Sequence, residues 1–155
     1  MVKLEIPFNN LKSHYDKIVV RKYKDMEDSY KEKLKSGNPI IYKVYIKDYG
    51  DYESGFTVMN PGLIGKEFFM TKGHRHVKPM AEIYFLVSGK GKLLIQENKK
   101  VKVIDMKKNV LYHVPATSGH RLVNTGNKEL QVMTIYGKNS GHDYNYKFTK
   151  SILKK

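Results

Sequence analysis

The sequence contains no cysteine among its 155 residues. A chain without cysteine has no disulfide framework, no thiolate nucleophile and no cysteine-ligated zinc site, so any metal chemistry must use histidine and carboxylate ligands. The sequence also lacks an uncharged apolar run of the roughly 20 residues that cross a bilayer. Its start, MVKLEIPFNNLKSHYDK, has no apolar core of a signal peptide. We therefore expect a soluble, cytoplasmic protein without a membrane partner.

Arginine is scarce although the chain is strongly basic. The formal net charge is +14, from 29 basic and 15 acidic residues, but the arginines are only Arg21, Arg75 and Arg121. Arginine reads bases and clamps phosphates with paired hydrogen bonds, whereas lysine supplies mainly hydrated point charge. Because the lysines are scattered along the chain, we expect no nucleic-acid partner. A positive surface would still concentrate a phosphorylated metabolite nearby.

The composition is not that of a disordered chain, because 40% of the residues are apolar and 12 Tyr and 6 Phe are present. A chain of this length suits one domain, residues 1–155. We expect residues 1–38 to form an N-terminal arm that carries one short helix near 26–35. This helix is predicted by Asp25 as its cap and by the Gly-Asn-Pro stop that follows it.

Beyond the arm, the pattern changes to short β-rich segments separated by Gly, Pro and Asn. Many short strands at nearly even spacing, with almost no helix between them, indicate an all-β sandwich or barrel. The barrel is predicted over about 40–137, followed by a C-terminal segment, 138–155. The predicted strands are 40–46, 55–59, 65–71, 82–89, 91–96, 100–106, 110–115, 120–125 and 130–137.

Two histidines and a carboxylate follow one another closely in this barrel. His74 and His76 are two positions apart, so in extended backbone both imidazoles share one face. Glu82 opens the next predicted strand, and His120 lies far downstream in VPATSGHRLVN. Three imidazoles and one carboxylate brought together would form a mixed nitrogen and oxygen site that suits Fe(II), Mn, Ni, Cu or Zn.

These motifs resemble those of the cupins. The segment GHRH, five residues, Glu82, six residues and a glycine is similar to the first cupin motif, and VPATSGHRLVN is similar to the second. The resemblance implies a single cupin barrel, a double-stranded β-helix or jelly roll. It also implies one divalent metal per chain, with Fe(II) expected and Mn, Ni or Zn as alternatives. The implied metal ligands are His74, His76, Glu82 and His120.

A narrower resemblance covers most of the chain, from about Tyr42 to Tyr144. GKEFFMTKGHRH, AEIY and GHDY are similar to segments of the archaeal-type cupin phosphoglucose isomerases. These are homodimeric enzymes of glycolysis and gluconeogenesis that interconvert glucose 6-phosphate and fructose 6-phosphate. The residues that match those around the sugar phosphate in that family are Tyr42, Thr57, Thr71, Gly73, Tyr84, Tyr136, His142 and Tyr144.

The resemblance implies isomerisation of a sugar phosphate by proton transfer through an enediolate. Glu82 is the expected base, and His142 is the expected group for ring opening or proton shuttling because imidazole titrates near neutrality. A hydride shift, which needs no base, is the alternative to proton transfer.

Three other functions also remain open. They are a non-catalytic cupin that binds a phosphorylated sugar, a cupin acting on another sugar phosphate, and a cupin oxygenase. A different sugar phosphate is suggested by Thr117-Ser118, because the resembling family carries a bulky aromatic pair at these two positions. The third would leave the hydroxyl groups of TKGH and GHDY without a role.

Overall fold

The computed structural model describes residues 5–155, which fold almost entirely as β-structure. Helical structure in this part of the chain is limited to 3-10 turns at Phe8–Asn10, Tyr23–Asp25 and Glu27–Ser29. Within the same residues, no helix is long and apolar enough to cross a membrane. The strands are β1 (Lys17–Lys22), β2 (Ile40–Asp48), β3 (Tyr52–Met59), β4 (Leu63–Ile64), β5 (Glu67–Phe68), β6 (Glu82–Ser88), β7 (Gly91–Glu97), β8 (Lys100–Asp105), β9 (Leu111–Val114), β10 (Gly119–Asn124) and β11 (Leu130–Gly137).

These strands form two main sheets and one small ribbon. A six-stranded sheet has the order β1-β2-β3-β11-β6-β9, a three-stranded sheet has the order β10-β7-β8, and β4 pairs with β5. All strand pairs are antiparallel. The crossovers place β11 between β3 and β6, so strands far apart in sequence become neighbours. The all-β cupin prediction is therefore confirmed.

The main hydrophobic core takes side chains from both sheets. Met59 of β3 and Val132 of β11 come from the larger sheet, and Leu93 of β7 and Leu122 of β10 come from the smaller one. Period-two alternation directs these side chains inward. β2 shows the same rule, because Tyr42 and its i+2 and i+4 neighbours line an internal cavity. The site described below opens from this interior.

A second, smaller hydrophobic cluster covers the other face of the large sheet. Leu11, Phe56, Val58 and Met133 are buried there, with Ile6 packed against them. The described part of the N-terminal arm thus packs on its own sheet before entering β1. β1 was not predicted from the sequence.

The short helix predicted near 26–35 is replaced by irregular chain after two 3-10 turns. Tyr30 is buried, and its hydroxyl accepts a hydrogen bond from the Met70 N–H at 3.2 Å. The Glu32 N–H donates to a carboxylate oxygen of Glu67, and the Leu34 N–H donates to the Tyr23 hydroxyl. Isolated helices this short are marginal in water. These tertiary hydrogen bonds use donors that a helix would need, so the helix does not form.

Candidate metal centre and surrounding cavity

The two cupin-like motifs meet through the backbone. His74 lies in the loop before β6 and His120 lies in β10, and the two residues form an isolated antiparallel bridge. Glu82 is the first residue of β6, opposite Tyr136 of β11. His76 is held by a hydrogen bond between its Nδ1 and the Met80 carbonyl. Three separate parts of the chain therefore bring their side chains to one point.

The four side chains converge closely. Their ligand atoms all lie within 4.8 Å of one another. Glu82 Oε2 is 2.9 Å from His120 Nε2, 3.1 Å from His76 Nε2 and 3.9 Å from His74 Nε2. Glu82, His76 and His120 are buried, and His74 is partly exposed. This spacing is that of a first ligand shell around one ion.

The tautomers of the histidines favour a cation over direct hydrogen bonds. Nδ1 of His76 faces the Met80 carbonyl, and Nδ1 of His120 faces the Ser118 carbonyl. An imidazole nitrogen facing a carbonyl carries the proton, so each Nε2 is left with a lone pair. His76 Nε2 and Glu82 Oε2 are buried without a hydrogen-bond partner. Converging lone pairs repel one another, and a divalent cation satisfies them all. The donor set fits the implied metal.

The electrostatics favour metal-binding protonation states at His74 and Glu82, whereas at His76 the effect of burial is outweighed by hydrogen bonds to Glu82 and the Met80 carbonyl, which raise its pKa. Burial holds the pKa of His74 well below its ordinary value, and nearby His120 acts in the same direction. Burial opposes ionisation of Glu82, but His120 and His76 outweigh it and hold the pKa of that carboxyl below its usual range. A neutral imidazole and an ionised carboxylate are the forms that coordinate a metal.

Hydroxyl groups surround the ligand cluster in one cavity. Thr57 of β3, Tyr84 of β6 and Tyr136 of β11 lie on the inward faces of adjacent strands of the large sheet. Burial, followed by the charge of Glu82, raises the pKa of Tyr84 well above its ordinary value, so this phenol stays protonated. All residues that the sequence resemblance placed around a sugar phosphate line this cavity: Tyr42, Thr57, Thr71, Gly73, Tyr84, Tyr136, His142 and Tyr144.

His142 and Tyr144 form one wall of the cavity. Their rings stack at 5.7 Å with an interplanar angle of 16°. The His142 ring lies 4.3 Å from that of His74 and 5.7 Å from that of Tyr136. His142 is not among the four converging ligands. Burial holds the pKa of His142 below its ordinary value, so a neutral imidazole stands beside the ligand cluster.

The cavity also contains residues that sequence reasoning missed. Val44 and Ile46 follow from period-two alternation with Tyr42 and could have been found that way. Val19 lies in β1, which no local pattern predicted. Thr134 faces Tyr84 across the β6–β11 pair. The additional lining residues are Val19, Val44, Ile46, Leu122 and Thr134.

Thr117 and Ser118 lie outside this cavity. The buried Ser118 hydroxyl donates to Glu97 Oε1 at 2.8 Å. Thr117 lines a second, outer cavity that also touches His76, His142 and Tyr144. The His142–Tyr144 wall therefore separates the inner cavity from an outer basin, and Thr117 shapes only the basin.

Comparison with solved structures supports the fold assignment. The crystal structure of Lactobacillus farciminis oxalate decarboxylase in a formate complex superimposes with a TM-score of 0.55 and 18% identity, covering 76% of this chain and 33% of that one. A Bacillus subtilis oxalate decarboxylase gives a TM-score of 0.54 and 20% identity, covering 74% and 29%. The chain thus spans about a third of those chains, and the likeness shows the fold alone.

Sequence comparison is more specific. The family described as Glucose-6-phosphate isomerase (GPI) matches residues 23–151. The glucose-6-phosphate isomerase of Thermococcus kodakarensis is 41% identical over 140 residues, which cover 83% of this chain and 74% of that protein. The Thermococcus litoralis protein of the same name is 38% identical over 137 residues, covering 81% and 72%. With both cupin-like motifs contained in these matches, the chain belongs to the glucose-6-phosphate isomerase family of enzymes.

Proposed function

We propose that the protein is a metal-dependent aldose–ketose isomerase that interconverts glucose 6-phosphate and fructose 6-phosphate through an enediolate. The observation that carries this proposal is the convergence of His74, His76, Glu82 and His120 inside a cavity lined with hydroxyl groups. The family supports the substrate and the reaction type.

The four converging residues would hold one divalent ion per chain. Their nitrogen and oxygen donors suit Fe(II), which we propose as the native ion, and also Mn, Ni or Zn. When bound, such an ion acts as a Lewis acid that polarises a carbonyl and stabilises negative charge on neighbouring oxygens. Direct metal analysis of the purified protein is the measurement for its identity.

Proton transfer is assigned to two side chains. The ionised carboxylate of Glu82 would take the proton from C2 of the open-chain aldose and return it to C1 of the enediolate, while the hydroxyl proton on O2 passes to O1, giving the ketose. His142 would move a proton between the ring oxygen and the anomeric hydroxyl during ring opening. The neutral state of His142 suits this exchange. A hydride shift would need no base at Glu82, although the sugar ring would still have to open.

The hydroxyls would bind the sugar phosphate. Tyr42, Thr57 and Tyr84 can donate to its oxygens. Thr71 is fixed in place, since its N–H donates to the Leu122 carbonyl and its Oγ1 accepts from the Leu122 N–H at 2.9 Å. Gly73 would let the substrate approach the backbone beside His74. Tyr136, His142 and Tyr144 complete the proposed contacts.

The decisive experiment is a coupled assay of both directions on protein reconstituted with Fe(II), Mn or Ni, with a chelated sample as control. Isomerisation that depends on added metal supports the proposal. Phosphate-ester binding without turnover, under every metal tested, would instead indicate a non-catalytic binder. Turnover of another sugar phosphate alone would redirect the substrate assignment.

We further propose a cytoplasmic homodimer. Within residues 5–155, β1 pairs with β2 alone and leaves its outer edge open. Ile18 and Val20 on this strand are exposed. An open edge with apolar side chains is stabilised by a partner strand. Sedimentation at micromolar concentration should show a dimer, and a monomer would contradict this part of the proposal.

A further inference from the structure

Residues 74–76, here called the ligand segment, carry two of the converging metal ligands with Arg75 between them. The Arg75 N–H donates to the Asp143 carbonyl at 3.3 Å, and the Asp143 N–H donates to the Arg75 carbonyl at 2.8 Å. The preceding residue, His74, makes the same two-way bridge with His120 of β10. Backbone groups of successive residues in extended chain point to opposite edges. The ligand segment is therefore held along both of its edges.

The bridge at Asp143 sets which side chains meet across it. In an antiparallel register, the two ligands of the ligand segment stand opposite the two residues that flank Asp143. The ring centres of His74 and Tyr144 lie 5.6 Å apart. Those of His76 and His142 lie 5.8 Å apart. The place of the His142–Tyr144 wall beside the ligands thus follows from this one bridge.

The side chains of the two bridged residues form an ion pair. Arg75 Nη2 donates to Asp143 Oδ2 at 3.3 Å. Both residues line the outer basin. The Arg75 guanidinium carbon also lies 5.2 Å from the ring centre of Tyr146. One arginine in the ligand segment therefore contacts the segment that forms the wall at two points.

The chain on either side of the wall is anchored to the sheets. The Tyr146 hydroxyl donates to the Gln96 carbonyl of β7 at 3.1 Å. On the other side, the Lys138 N–H donates to the Asp51 carbonyl at 3.2 Å. The wall itself lies outside the named strands and is partly exposed. Such a stretch opens at a lower free energy than a sheet, so the position of the wall depends on its contacts to Arg75.

We propose that Arg75 and Asp143 are positioning residues whose ion pair fixes the His142 ring beside the metal ligands for its proton transfer. This inference rests on the proposed function for the role of His142. Arg75 and Asp143 line the basin and not the inner cavity, so each would act through the wall. A misplacement of about 1 Å can cost roughly 10²-fold in rate, and a small shift of the wall is therefore sufficient.

The kinetic test uses the metal-loaded enzyme. Arg75→Gln and Asp143→Asn each remove one charge of the pair, and kcat on glucose 6-phosphate should fall about tenfold in both, at unchanged metal content. Asp143→Asn retains Oδ1, which accepts from the Asn145 N–H, so the local turn is kept. Arg75→Lys keeps the charge and can form the single nitrogen–oxygen contact, and its kcat should lie within about twofold of the wild-type value.

A double-mutant cycle identifies a role exerted through His142. In the His142→Ala background, Arg75→Gln should change kcat by less than about twofold, because the group that Arg75 positions is gone. An arginine that merely stabilised the fold would cause the same loss in both backgrounds.

Nuclear magnetic resonance of the full chain, with diamagnetic Zn(II) present, measures the wall position without turnover. Ring protons of His142 and His74 should show a nuclear Overhauser effect in the wild type, because their ring centres lie 4.3 Å apart. Arg75→Gln should lose this effect. Lys92→Gln is the matched control, since it breaks another partly exposed ion pair, with Asp105 in the smaller sheet, and should keep both the effect and kcat. Such pairs add little to global stability, so Tm should stay near the wild-type value in all variants.

The outcomes separate this inference from the proposed isomerase activity. A wild-type Overhauser effect in Arg75→Gln, an unchanged kcat in an active enzyme, or an equal loss of kcat in both backgrounds would overturn it. Loss of the effect in a protein that isomerises no sugar phosphate would support the positioning of His142 by Arg75 while rejecting the proposed function.

Discussion

His74 and His120, 46 residues apart in sequence, are joined by a two-way backbone bridge. The His74 N–H donates to the His120 carbonyl at 3.2 Å, and the His120 N–H donates to the His74 carbonyl at 2.9 Å. Their Nε2 atoms lie 3.1 Å apart. The main chain therefore positions both imidazoles, and removal of either side chain leaves this bridge in place.

The first prediction concerns metal content. The wild-type protein should hold about one divalent ion per chain, and His74→Ala or His120→Ala should weaken its affinity by orders of magnitude because one of four ligands is lost. Mass spectrometry of the metal measures this. His113→Ala is the control, since His113 is exposed in β9. Normal metal content in both ligand variants would refute the site.

The second prediction separates the two roles of Glu82. If Glu82 only binds metal, excess metal should restore most of the rate of Glu82→Gln. If Glu82 is also the base, the metal-saturated variant should remain slower by roughly 10² to 10⁴-fold, which is our expectation. Incorporation of solvent deuterium into the product by the wild-type enzyme should accompany this result. A fully active, metal-loaded variant would favour a hydride shift.

The third prediction concerns His142. His142→Ala should retain wild-type metal content, because His142 is outside the converging ligand set, yet lower kcat on the closed-ring sugar. His14→Ala, at an exposed position of the arm, should match the wild type in both measurements. Unchanged turnover in His142→Ala would remove this residue from the proposed proton transfer.

A fourth prediction concerns Gly73. At φ +73° an alanine is strained, and its Cβ would lie 2.6 Å from Phe148 and 2.9 Å from Arg121. Gly50→Ala at φ +99° meets no atom within 4 Å, so it should lose only the about 1–2 kcal/mol of backbone strain. Gly73→Ala should lose roughly 1–3 kcal/mol more from overpacking. Denaturant titrations of the two variants give this difference, and equal losses would contradict the crowding at Gly73.

The fifth prediction tests the packing that replaces the expected helix. Tyr30→Phe leaves the Met70 N–H without its acceptor, and an unsatisfied buried donor costs about 1–3 kcal/mol of unfolding free energy. Tyr15→Phe is the control, because Tyr15 is exposed and makes no hydroxyl hydrogen bond within the described residues. A loss in Tyr30→Phe no larger than in the control would contradict this role of the Tyr30 hydroxyl.

Local patterns in the sequence were sufficient to predict most strands of the barrel. β11 is observed over the predicted residues 130–137, and β6, β7, β8, β9 and β10 begin and end within one residue of their predicted bounds. Alternation and turn residues act between near neighbours, so they can be recognised without tertiary information. Asn109, between β8 and β9, has φ +62°, a left-handed conformation that asparagine adopts more readily than most residues. The ligand types and the spacing of His74, His76 and Glu82 were equally visible.

The remaining features depend on contacts between distant segments. Local capping signals favoured a helix near 26–35, but hydrogen bonds to Met70 and Glu67 stabilise irregular chain there. β1 exists through its pairing with β2, and that pairing sets Arg21 opposite Tyr42. Composition and local periodicity thus identify the metal-binding residue types and the strands. Only the folded chain decides which distant side chains share a cavity, because strand pairing and burial stabilise partners that no local pattern records.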